Sequence, residues 1–203
     1  MEISKYFPEH QGKIDILAEL QDYQKDLEIL AEANVSIQFT NKGKDHAVLV
    51  MSKLFNCAYR NVKIFARDFN GSISDNQLYI DSLKNFLARD PANIVTVIFE
   101  GKPNPSSKAL ALLKKIRSET PQKVILKKAE ETQIIEFSKY LVNAEKMIHF
   151  TVADDEMKGY NKYRCETDTN NFLAILNFDD NKFCQKLLKL YSILEVNAKE
   201  IAN

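Results

Sequence analysis

A chain of 203 residues, 45% of them hydrophobic, is long enough for one domain with a substantial core. Its 28 basic and 28 acidic residues cancel, which excludes generic charge-driven binding to nucleic acid or anionic membranes while leaving room for a local basic groove. Three cysteines, Cys57, Cys165 and Cys184, are odd in number and form no CxxC pair. Reduced thiols in a cytoplasmic protein are therefore expected, with no disulfide framework, no zinc site and no cofactor.

The opening MEISKYFPEHQGK does not read as a signal peptide, and no run is apolar for long enough to span a bilayer. His10 is expected in a mobile start. Residues 13–33 carry Ile14, Leu17, Leu20, Leu27 and Leu30 at helical spacing. Residues 35–40 alternate as a short strand does. NKGKD turns the chain into a second helix over 45–59, with Val48, Met51, Leu54 and Phe55 on its inner face and His46 expected to face solvent.

Residues 61–69 read as a strand and 76–88 as a helix capped by Ser74 or Asp75. Residues 93–99 are almost wholly apolar, the mark of a central strand buried on both faces. GKPNPSSK lacks P-loop spacing and reads as a loop capping a helix over 108–117. A short strand over 123–126 follows, within KVILKK, whose lysines suit a solvated edge. Residues 130–143 fit a helix better than a strand.

The stretch 145–180 holds the candidate chemistry. With a period of two, Ile148, Phe150 and Val152 share one strand face; Met147, His149, Thr151 and Ala153 share the other. A polar turn over 154–161 leads to a return strand over 163–167, where Tyr163 and Cys165 point one way and Arg164 and Glu166 the other. Residues 172–178 form a third extended run. Asp179 and Asp180 precede a closing helix over 182–201 as N-cap residues. Cys57 and Cys184 lie among apolar helix positions and are expected in the core. Strands alternating with amphipathic helices, then an antiparallel hairpin, imply an α/β domain with a mixed sheet covered by helices on both faces. The expected organisation is a single domain over 1–203 with an N-terminal helical extension over about 1–40.

From about residue 46 to 201 the order of parts resembles the phospholipase D-like superfamily. The resemblance rests on HAVLVMSKLFNCAY leading into NVKIFARDF, on VTVIFEG, and on IHFTVADD…YRCE…AILNFDD. It points to a single-repeat member with a degenerate HKD motif. The family signature, HxKxxxxD with a downstream Asn, implies a histidine that attacks a phosphodiester, with the lysine and asparagine stabilising charge on the phosphoryl oxygens. Matched residue by residue, His149 takes the histidine position, Thr151 the lysine, Glu156 the aspartate and Asn177 the asparagine. The lysine is lost. Arg164, on the return strand, is the substitute cation within contact range across a hairpin.

The resemblance implies two functions, beside the blander reading of a structural subunit whose exposed helices bind other chains. One is a non-catalytic binding or accessory module, holding a phosphorylated ligand, nucleic acid, lipid headgroup or partner protein, as in bacterial defence or nucleic-acid-processing systems. The other is a phosphodiesterase, a nuclease or lipase-like enzyme, with a site of His149, Arg164, Glu166 and Asn177. Family enzymes bring two motifs to one centre, so a single-motif chain would act as a homodimer. The lost lysine and neutral charge favour the module.

Overall fold

The computed structural model describes residues 2–33, 35–69, 71–140, 148–168 and 171–202. In chain order its elements are α1 (Ile14–Ala33), β1 (Phe39–Asn41), α2 (Gly43–Cys57), β2 (Asn61–Ala66), α3 (Gln77–Arg89), β3 (Ile94–Phe99), α4 (Lys108–Glu119) and β4 (Val124–Lys128). They continue as α5 (Glu131–Ser138), β5 (Phe150–Asp155), β6 (Gly159–Asp168), β7 (Leu173–Asn177), α6 (Asn181–Glu195) and β8 (Lys199–Glu200). The strands form one mixed sheet in the order β1-β7-β6-β5-β2-β3-β4-β8. β2, β3 and β4 are parallel, joined through α3 and α4. β5 lies antiparallel to β2, so the sheet changes sense at that pair.

Alternation along the central strands feeds two cores. Val62 and Ile64 of β2 join Val48, Leu54, Leu83 and Leu113 on the face covered by α1 to α4. Phe65 instead joins Phe150, Val152, Tyr163 and Leu187 on the face covered by α5 and α6. β3 divides the same way, Val97 to the first core and Ile98 to the second, as a strand buried on both faces must.

Caps set the helix starts. Asn76, and not Ser74 or Asp75, is the N-cap of α3, accepting from Leu78 N at 2.8 Å. Asp75 instead serves α4, where it accepts from Ser107 Oγ at 3.1 Å and Lys108 N at 2.8 Å. Asp180 caps α6 through Phe183 N at 2.9 Å.

Other expectations are corrected by tertiary packing. The strand expected over 61–69 stops at Ala66. β4 is not an edge strand, because the chain leaves α6 at Glu195 and returns as β8 to pair with it. The strand expected over 35–40 shrinks to Phe39–Asn41. His10 is held, its Nε2 lying 2.8 Å from Asp45 Oδ2 behind a buried Ile3 and Phe7. His46 is half-buried, stacking on Tyr23 with ring centroids 4.1 Å apart, and only partly faces solvent. Cys184 is buried, but Cys57, at the end of α2, is half-buried. Leu141, in the expected helix over 130–143, and Met147 lie outside the described residues.

Candidate ligand-binding cleft

The end of the sheet where parallel β2 meets antiparallel β5 gathers the polar residues. Open clefts in α/β sheets form at the carboxyl ends of parallel strands, where the sheet changes direction. Here Glu100 follows β3 directly, and His149 immediately precedes β5. Register then fixes the rest: Thr151 pairs directly with Arg164, and Arg164 with Leu176, so these side chains share one face. His149 and Glu166 lie two residues further along that face, tied by Glu166 N donating to His149 O at 2.9 Å.

Three of the four expected site residues therefore meet. His149 Nδ1 lies 3.2 Å from Glu166 Oε2, and its Nε2 lies 2.8 Å from Glu100 Oε2. Arg164 Nη1 donates to Glu166 Oε1 at 3.1 Å, and Arg164 Nε to Asn41 Oδ1 at 3.0 Å. Asn41 is fixed in turn by donating to Phe172 O at 2.7 Å. A carboxylate facing each ring nitrogen favours the doubly protonated, imidazolium form of His149. Burial by itself would lower its pKa, but the bonds to Glu100 and Glu166 outweigh that and raise it. Burial likewise pushes Glu166 up, and His149 and Arg164 reverse the sign, leaving it lowered.

Asn177 is not brought to this centre. It pairs with Tyr163 on the opposite face of the sheet, where its Oδ1 accepts from Asp179 N at 2.8 Å. Glu156 sits exposed at the tip of the β5–β6 hairpin. Thr151, at the lysine position, is buried against Arg164. The sequence reading missed Glu100 and Asn41. The signal for Glu100 was a charged residue directly after a strand buried on both faces; Asn41 fell one residue beyond the expected strand.

Above this polar floor lies a cleft of about 140 Å³. Met51, Ile64, Phe69, Tyr79 and Phe172 wall it, and Thr151 and Ser74 add hydroxyls. Phe69 and Phe172 are the non-glycine residues with positive φ among those described, at 57° and 53°. Such backbone costs about 1–3 kcal/mol per residue and clusters at ligand sites. As a candidate metal group, Glu9, His10 and Asp45 lie together elsewhere, but Lys44 pairs with Glu9 at 3.0 Å and His10 with Asp45, so the group is closed by its own ion pairs.

The chain is thus a mixed sheet between two helical layers, with His149 at the strand end before the closing hairpin. Among solved structures the chain superposes on Nuc from Salmonella typhimurium, a phospholipase D family member, with a TM-score of 0.53 and 13% identity, covering 82% of this chain and 100% of Nuc. It also superposes on TrmBL2, an archaeal chromatin protein described with a novel mode of DNA binding, at a TM-score of 0.53 and 12% identity. That match covers 95% of this chain and 66% of TrmBL2. No protein-family model and no curated protein matches the sequence. At these identities the likeness is one of fold. Among the described residues no helix is long and apolar enough to cross a membrane.

Proposed function

We propose that the chain is a non-catalytic binding module that uses the cleft above His149, Arg164 and Glu166. The observation that carries this is the double engagement of His149, whose two ring nitrogens face Glu166 and Glu100. Nucleophilic attack on phosphorus needs a nitrogen lone pair, and an imidazolium held between two carboxylates has none. Glu100 also places a negative charge at Nε2, where a phosphoryl group would have to approach. Thr151 brings no cation, and Arg164 is already engaged by Glu166 and Asn41. The fold occurs both in a phospholipase D family member and in a DNA-binding chromatin protein. That is consistent with an accessory role beside nucleic acid.

The competing reading is a homodimeric phosphodiesterase with His149 as nucleophile and Arg164 as its cation. Its support is the Nδ1–Glu166 contact, which would orient a nucleophilic imidazole once Glu100 left Nε2. The two readings separate in turnover assays of the purified protein and His149→Ala on bis(p-nitrophenyl) phosphate, single- and double-stranded DNA, and phosphatidylcholine vesicles. The expected result is no turnover by the natural chain above that of the variant. Turnover that disappears in His149→Ala would overturn the binding module.

A further inference from the structure

Five buried side-chain nitrogen or oxygen atoms lack a hydrogen-bond partner among the described residues, and two of them, Arg164 Nη2 and Ser74 Oγ, belong to residues lining the one cleft described above. Arg164 is 5% exposed and Ser74 6%. An unsatisfied buried polar group costs about 1–3 kcal/mol, and more when charged, so a fold that keeps two of them beside a cavity calls for a partner from outside.

Three features narrow that partner. The first is valence. Arg164 has its Nη1 on Glu166 and its Nε on Asn41, so Nη2 alone is left. The two-pronged grip by which arginine holds carboxylates and phosphates is not on offer. The second is charge. Arg67, His149 and Arg164 stand against Asp68, Glu166 and Glu100, three cationic groups against three carboxylates. The cationic groups are thus already matched, and a ligand anion would leave the centre with an excess negative charge. The third is size. The cleft's 140 Å³ is close to the ~150 Å³ apolar cavity known to admit benzene, and most of its wall is apolar.

Building on the binding-module reading, we propose that this cleft takes a neutral, largely apolar small molecule of about one ring, carrying a carbonyl or hydroxyl oxygen that accepts from Arg164 Nη2 and Ser74 Oγ. The ring packs between Phe69, Phe172 and Met51. Glu100, at 2.8 Å from His149 Nε2, stands against an anionic head group at this centre.

Three probes that share a ring and differ in head-group charge test this: benzamide, benzoate and phenyl phosphate, titrated into the full chain at neutral pH by ligand-observed NMR. The expected order is benzamide tightest, with benzoate and phenyl phosphate each weaker by about tenfold or more. Arg164→Met should weaken benzamide by about tenfold, the loss of one hydrogen bond to a charged donor. Because that change also strips a partner from Glu166, Ser74→Ala serves as the second variant. Ser74 Oγ has no partner among the described residues, so Ser74→Ala should keep its thermal midpoint and still weaken benzamide several-fold. Tighter binding of either anion, no saturable benzamide binding at millimolar concentration, or unchanged benzamide affinity in Ser74→Ala would overturn the proposal. None of these outcomes bears on turnover, so the binding module and its ligand class fail separately.

Discussion

At the scale of single residues, Glu166 is the hinge of the cleft floor, accepting from both His149 and Arg164. Its linkage to its neighbours gives the cluster a pH window. His149 is raised above its ordinary 6.5, since its bonds to the two carboxylates outweigh burial. Its contribution to stability is complete below 6.5 and is lost as pH rises through the raised value. Glu100 is lowered below 4.5, chiefly by the bond from His149, and Glu166 is lowered below 4.5 against the push of burial. Their contribution is present above 4.5 and lost as pH falls through the lowered values. The cluster is therefore strongest between 4.5 and 6.5. His149→Gln should reduce the thermal midpoint most in that window and progressively less in alkaline solution; a deficit constant into the alkaline range would contradict this. The thiols follow burial too: Cys165 and Cys184 are pushed up to about 12, while Cys57 is raised but half-buried. Native labelling should reach Cys57 first. Arg164 and Glu166 were legible as partners of His149 because strand alternation put them on one face. Glu100 arrives from a separate parallel strand, a placement that no local pattern encodes.

At the scale of elements, the β5–β6 hairpin is pinned at its far end by Asp154. Its carboxylate accepts from Arg60 N at 2.8 Å, Asn61 N at 2.8 Å and Asn61 Nδ2 at 2.7 Å. The buried Lys162 reinforces it by pairing with Asp155 at 3.0 Å. A bulge after Ala153 lets the strand make this turn. The clasp matters for the cleft because it fixes the register that sets Thr151 opposite Arg164. Asp154→Ala should cost about 2–4 kcal/mol, as several bonds to a charged acceptor go at once. At about 2–4 °C per kcal/mol for a chain of this size, the drop is readily measured by calorimetry, and Asp154→Asn should recover part of it. An unchanged midpoint in Asp154→Ala would remove the clasp from the account. Helix starts were mostly readable from spacing and polar residues, but the closing helix expected over 182–201 stops at Glu195, and α3 is capped by Asn76 in place of Ser74 or Asp75. Strand ends were not readable, since β2 ends before the left-handed Phe69 and β8 exists only because α6 delivers the chain to β4.

At the scale of the whole molecule, one sheet separates two cores, and its central strands belong to both. Damage to either side is then felt by the other through shared backbone. Leu83→Ala in the first core and Leu187→Ala in the second should each cost about 2–5 kcal/mol and move a single common unfolding transition. Two separable transitions would show that the chain folds as two units. The layered order was legible because IVTVIF, apolar on both faces, has to lie in the interior of a covered sheet. The margins of that sheet carry a further consequence. One finishes in β1, three residues long, and the other in β8, two residues long. Among the described residues neither offers a long row of free amides and carbonyls on which a second copy could extend the hydrogen-bonded ladder. Any self-association of this chain is therefore expected through helix surfaces or loops rather than through one continuous sheet.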